Sequence, residues 1–214
     1  MPFPQPKSRT VDAFSVSHSR PLSKPGFPVV LVLGNAAASS EKMLFHASMN
    51  FSYLLKKSPQ IVNRSDFHSN PRAIQCAESG AKLAPQGDFR FVCGSLEALQ
   101  RVETGSADAV VLSNIIDNLY PEDAAAVLTE IKRILKKNGR ILLKLNPYLT
   151  AEQIKAWNIR VISGNLLDDG MILWNQTTEE WNDFLSARFQ IVHYEDIYYE
   201  EHNQYNRMYL LVNP

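Results

Sequence analysis

Between Ala107 and Leu145 the sequence spells out a strand, an amphipathic helix and a second strand, a unit that commits a chain to a layered α/β fold. Ala107-Asp-Ala-Val-Val-Leu-Ser113 is a short, mostly apolar run of the kind buried on both faces of a sheet. The helical spacing of Val127, Leu128, Ile131, Ile134 and Leu135 predicts a helix over Pro121–Lys137. Lys132, Arg133, Lys136 and Lys137 then sit at the negative end of its dipole, with Asn138-Gly139 as the stop. Arg140-Ile-Leu-Leu-Lys-Leu145 is the returning strand, ended by Asn146-Pro147.

The same rhythm extends in both directions. Pro28-Val-Val-Leu-Val-Leu33 is another doubly buried strand, closed by Gly34. A helix is expected from Glu41 to Lys57, then a short strand at Gln60-Ile-Val62 entering Arg64-Ser-Asp66-Phe-His68. Asn70-Pro71 opens a helix that runs to Gly80. Phe89–Cys93 alternates as a third strand, and Ser95 can cap a short helix over Leu96–Arg101. Residues 148–176 break the pattern, with a helix at Ala151–Trp157, a strand-like Arg160-Val-Ile-Ser163 and a turn at Asp168-Asp-Gly170. A helix over Thr178–Arg188 and two strands, Phe189–Tyr199 and Asn206–Val212, close the chain, the strands forming an antiparallel hairpin through Glu200-Glu-His-Asn203. The expected architecture is a doubly wound α/β sheet of seven strands in the order 3-2-1-4-5-7-6, parallel except for the last strand. An ordinary dinucleotide-binding fold would instead end on another βαβ unit.

Composition narrows the function classes. Lys plus Arg and Asp plus Glu number 22 each, so the net charge is zero and no global field draws the chain to nucleic acid or an anionic membrane. Cys76 and Cys93 lack the spacing of a zinc site and are too few for a disulfide framework, so no metal is expected. No apolar run approaches the ~20 residues that span a bilayer, and the start of the chain lacks the apolar centre of a signal peptide. A cytoplasmic protein without membrane contact is expected. Residues 1–28 hold six of the 12 prolines, with Lys7, Arg9, Arg20 and Lys24 against Asp12, and read as an extended arm, or as one that folds over an active site. The main domain then covers 29–214, with 148–176 as an insertion or lid.

Two stretches carry a family resemblance: Ser106-Ala-Asp-Ala-Val-Val-Leu-Ser-Asn-Ile-Ile-Asp-Asn-Leu119 and Leu128-Thr-Glu-Ile-Lys-Arg-Ile-Leu-Lys-Lys-Asn-Gly-Arg-Ile-Leu-Leu143. They resemble class I, S-adenosylmethionine-dependent methyltransferases. In that family a strand leads to an Asn- or His-bearing turn, and the next helix ends in Arg-hydrophobic-Leu-Lys-Pro-Gly-Gly. The closing hairpin also agrees with the family's layout. The family's cofactor loop, hydrophobic-Leu-Asp-hydrophobic-Gly-x-Gly-x-Gly, falls on Val30–Ala38. Val32 stands in place of its acidic residue, and Ala36 and Ala38 in place of two glycines. Glycine matters there because the backbone passes close to the ligand in conformations a Cβ disfavours.

The resemblance implies S-adenosylmethionine as cofactor and assigns further positions. Asp66 stands where an acidic residue accepts hydrogen bonds from the ribose hydroxyls. Its alternative is a part in capping the helix at Pro71. Ser95 stands where the adenine amino group is met, or is only an N-cap. Gly34 and Ala36 lie along the methionine end, while Ser113 and Asn114 face the methyl-bearing end. Asp117 and Asn118 lie near the substrate or form a solvated turn. Asn146-Pro147-Tyr148 has some letters of the Asn-Pro-Pro-Tyr motif of amino-directed nucleic-acid methylation, but follows the fifth strand rather than the fourth. His193 and His202 are candidate bases near the hairpin, and Trp157, Ile172 and Trp174 candidate lining residues of a substrate pocket. The function expected is methylation of a small molecule. The alternative is a non-catalytic methyltransferase-like binding module. A nucleotide-binding oxidoreductase is disfavoured by the hairpin and by the missing Gly-x-Gly-x-x-Gly.

Overall fold

The computed structural model describes residues 29–34, 63–68, 75, 78, 79, 88–93, 96–168, 170–200 and 203–214. Its main layer is a sheet of seven strands: β1 (Val29–Gly34), β2 (Asn63–His68), β3 (Asp88–Cys93), β4 (Ala107–Ser113), β5 (Leu135–Leu145), β9 (Gln190–Tyr199) and β10 (Gln204–Val212). They lie side by side as β3-β2-β1-β4-β5-β10-β9. Pairings from β3 through β5 are parallel, and β10 runs antiparallel to both β5 and β9. A second, three-stranded sheet is built from β6 (Arg160–Ser163), β7 (Leu166–Asp168) and β8 (Ile172–Trp174), all within the segment that breaks the rhythm. Of those strands, the sequence predicts only β6; β7 and β8 are three residues each, too short to register as strands.

Four helices are described: α1 (Leu96–Gln100), α2 (Pro121–Ile134), α3 (Ala151–Ala156) and α4 (Thr178–Ser186). In α2, proline opens the first turn, and Glu122 and Asp123 meet the positive end of the dipole. Ala124, Val127, Leu128, Ile131 and Ile134 form its buried stripe against the sheet. Thr150 and Thr177 each close a capping box, with Gln153 and Glu180 as partners. Trp174, Trp181 and Phe184 meet edge-on, with ring centroids 5.0 to 5.7 Å apart.

The helix expected to reach Lys137 ends at Ile134, and Leu135 is already extended and paired with Ala107. The ladder then skips to Ala109↔Arg140, so residues 136–139 bulge, with Asn138 in the left-handed region at φ 63°. Lys136 therefore leaves the helix end and pairs with Asp108 at 2.8 Å. A Cβ at Gly139 would lie 2.8 Å from the Lys136 carbonyl oxygen, so only glycine fits the corner. The second strand is described over Asn63–His68, and the expected Gln60–Val62 lies outside the described residues. Interior position between β1 and β3, rather than an apolar sequence, makes it a strand. The expected arm at 1–28, the helix over 41–57, Ala36, Ser95 and His202 lie outside the described residues.

Candidate functional site

β1 sends its continuation to one side, through β2 and β3, while β4 and β5 build the sheet on the other side. The carboxyl ends of β1 and β4 therefore flank the point where strand order reverses, the place at which open α/β sheets receive ligands. Gly34, last in β1, is in register with Ser113, last in β4. One strand further out, Asp66 is in register with Val32, two residues before β2 ends at His68. Asn114 follows Ser113 at φ 53°, a left-handed turn that stops the strand and sends the chain away from the sheet.

That turn is held by polar contacts converging on Asn146, the first residue beyond β5. Asn114 Nδ2 donates to Asn146 Oδ1, and the Asn114 backbone N–H to the Lys144 carbonyl at 2.9 Å. Asn146 Nδ2 donates to Asn118 Oδ1 at 3.1 Å, and its backbone N–H to Asp117 Oδ2 at 2.6 Å. Arg207 of β10 completes the ring, its Nε donating to the Asn146 carbonyl at 3.0 Å and Nη1 to the Gln176 carbonyl at 2.7 Å. Asn118 Nδ2 reaches the Ile172 carbonyl at 2.8 Å, tying β8 to the same centre. Asn175 clasps the two ends of the inserted segment by exchanging two 2.8 Å bonds with the Leu149 backbone.

Burial sets the electrostatics. Asp117 is fully buried, and desolvation raises its pKa from 3.8 to about 6 against the opposing pull of the Asn146 N–H and Arg207. Desolvation likewise lowers the pKa of Arg207 and of Lys144, and in both Asp117 opposes that shift. Asp117 Oδ1, Gln176 Nε2 and Arg207 Nη2 are buried with no hydrogen-bond partner among the described residues. Buried titratable groups with unpaired polar atoms of this kind make the cluster a candidate functional site.

The pattern of the family described as "Methyltransferase domain" matches residues 50–143. Among solved structures, a SAM-dependent methyltransferase of Methanosarcina mazei superposes with a TM-score of 0.61 at 16% identity, covering 87% of this chain and 92% of the other. The 1,6-didemethyltoxoflavin-N1-methyltransferase of Burkholderia thailandensis, solved with 1,6-didemethyltoxoflavin and S-adenosylhomocysteine, gives 0.59 at 15% identity, covering 87% and 72%. Residues 50–143 are thus similar to a methyltransferase domain, and the chain shares the fold of these S-adenosylmethionine-dependent methyltransferases. A tRNA N(3)-methylcytidine methyltransferase of Schizosaccharomyces pombe is 28% identical over 119 residues, spanning 52% of this chain and 39% of that relative's length.

The structure brings Gly34, Ser113 and Asn114 together at the switch point, with Asp66 one strand away. Asp117 belongs to no solvated turn, being sealed beneath Asn146 and the side chain of Arg207. His193 lies exposed on β9, 3.6 Å from Glu195, and takes no part in the cluster. Trp174 is a core residue, buried against Trp181 and Phe184 rather than lining a cleft, and Trp157 is exposed. Sequence reasoning passed over Gln176 and Arg207, and considered Asn146 only as a strand end and part of a motif that follows the wrong strand. The signal for Asn146 was its place: the first side chain beyond β5, beside the one that follows β4 by a single residue. Among the described residues no helix is long and apolar enough to cross a membrane, and no cluster fits a metal ion.

Proposed function

We propose that this protein transfers a methyl group from S-adenosylmethionine to a small-molecule acceptor. The observation that carries the reading is the meeting of Gly34, Ser113 and left-handed Asn114 at the switch point of the sheet. When bound, S-adenosylmethionine supplies an electrophilic methyl on a positively charged sulfur. The chain's part is binding, orientation and exclusion of water. Asp66 accepts from the ribose hydroxyls and Ser95 from the adenine amino group. The backbone from Gly34 to Ala36 runs beside the methionine end, and Ser113 and Asn114 face the methyl-bearing end. Residues 148–176, which leave from the carboxyl end of β5 and are clasped by Asn175, act as a lid over the acceptor.

Charge supports a small acceptor. From Phe189 to Asn206 the closing hairpin holds Glu195, Asp196, Glu200 and Glu201 and no Lys or Arg, so a polynucleotide backbone meets no row of cations there. The fission-yeast relative, by its name a tRNA enzyme, motivates the second reading, a nucleic-acid acceptor. The third is a non-catalytic module that has lost its loop glycines.

Calorimetry with S-adenosylmethionine tests the site. Asp66→Ala should weaken binding about ten- to a hundredfold, the loss expected for one charge-assisted hydrogen bond. Ala36→Gly with Ala38→Gly should tighten it. If neither wild type nor the double-glycine variant gives heat at millimolar cofactor, the non-catalytic reading takes over. Incubation with methyl-labelled cofactor then separates the acceptors. Label in a low-molecular-weight metabolite pool supports the proposal, whereas label in unfractionated tRNA alone overturns it.

A further inference from the structure

We infer that Asp117 is a positioning residue for the cofactor, acting through Asn146 on Asn114. The inference rests on the cofactor reading above and goes beyond it, because the Asp117 carboxylate is tied to Asn114 by way of Asn146. Asn146 is held on four sides: its backbone N–H by Asp117, its carbonyl by Arg207, its side-chain oxygen by Asn114 and its side-chain nitrogen by Asn118. Of these contacts, the one from Asp117 is a carboxylate bond at 2.6 Å, the kind that is shorter and about twice as strong as its neutral counterpart. Its strength sets where the Asn146 side chain stands, and the Asn146 side chain sets where Asn114 points. A non-glycine residue at φ 53° needs such support, since a left-handed turn relaxes when its side-chain anchor slackens.

The charges around Asp117 come from every side of the cluster. Arg207 approaches from β10 and Lys144 from β5, each coupled to the carboxylate. Asp196 of β9, with Tyr194 and Tyr209, stands behind Arg207. Residues 172–176 contribute no titratable group, and Glu122 and Asp123 of α2 are exposed. Burial lifts the carboxyl to about 6, so mild acid neutralises it while S-adenosylhomocysteine keeps its own charge state. Protonation leaves Oδ2 a weaker, neutral acceptor for the Asn146 N–H.

The test is the affinity of the full chain for S-adenosylhomocysteine, measured by calorimetry at pH 7.5 and 5.5. Wild type should lose about three- to tenfold in affinity on acidification, the difference between a charged and a neutral acceptor. Asp117→Asn, which keeps the acceptor and the shape, should bind at pH 7.5 as wild type does at pH 5.5, with no pH dependence. Asn114→Ala should bind more weakly and also be flat with pH, because the relay ends there. Asp66→Ala should bind more weakly but keep the wild-type pH profile. A pH dependence that survives in Asn114→Ala, or a flat wild type, overturns the inference while leaving the cofactor reading intact. Absence of binding by wild type at both pH values overturns both. Should Asp117→Asn fail to fold, as judged by thermal melting, the comparison of wild type with Asn114→Ala decides alone.

Discussion

Asn114 and Asn146 fasten the carboxyl ends of β4 and β5 to each other, the amide of the first donating to the side-chain oxygen of the second. Two strands that are parallel neighbours throughout their length are thus also locked at the tips, next to Gly34. The lock combines an unfavourable backbone conformation with a specific side chain, and the two contributions can be separated by mutation. Asn114→Gly removes the amide and relieves the left-handed turn. Asn114→Ala removes the amide and adds a Cβ that lacks asparagine's local hydrogen bonding. The alanine variant should be less stable than the glycine variant by about 1 kcal/mol in urea unfolding. Equal stabilities would mean that the turn relaxes once the amide is gone.

Asp117 makes stability fall as pH rises. Its folded-state pKa, about 6, lies above the ordinary 3.8, so the folded protein binds the proton more tightly than the unfolded chain does. The cost of ionising it in place is absent below pH 3.8, grows between 3.8 and 6, and is complete above 6. Its full size is about 3 kcal/mol at most. Acidifying from pH 7.5 to 5 should therefore raise the melting temperature of wild type relative to Asp117→Asn, the difference opening as pH falls below about 6. A constant offset between the two would show that the carboxylate is solvated.

Gly139→Ala should be costly although its backbone is not left-handed. The new methyl would press on the Lys136 carbonyl oxygen at 2.8 Å and on the Leu135 side chain at 2.9 Å. A loss of about 1–3 kcal/mol is expected, the range for overpacking at a close approach. Guanidinium unfolding checks it, and a neutral result would mean that the bulge can open.

Trp174→Ala should act on stability and not on acceptor choice. The side chain is buried in the main core against two aromatic neighbours, so truncation should cost about 3–5 kcal/mol. Acceptor KM measured on the folded fraction should stay within a factor of two of wild type; a selective rise in KM would return Trp174 to the substrate pocket.

The α/β architecture and the closing hairpin were legible because periodicity writes them locally. β4 is a short, mostly apolar run and α2 buries every third or fourth residue, patterns that survive without knowledge of neighbours. The stretch Asn63-Arg-Ser-Asp-Phe-His68 was not legible as a strand because it is polar, and its pairing with β1 and β3 is a long-range fact. The end of α2 was misread for a related reason. Basic residues and Asn-Gly suit a helix terminus, but Leu135 is claimed by Ala107 and the corner by Asn213, whose side chain caps the Lys132, Leu135 and Lys136 carbonyls. Gly34, Ser113 and Asn114, which the sheet brings to one place, were picked out through the family pattern. Asn146 and Arg207 were not, because nothing near them in sequence announces that residues 31 and 61 positions apart along the chain will share one hydrogen-bond centre.

The last strand in sequence, β10, is not the last in the sheet; it lies between β5 and β9. During synthesis, β9 therefore emerges from the ribosome before the strand that must separate it from β5. Until Gln204–Val212 is made, β5 presents an open backbone edge with Ile141, Leu143 and Leu145 on it, the kind of surface that templates aggregation. Folding of this half of the molecule must wait for the tail, and the nascent chain has to be kept from false partners in the interval.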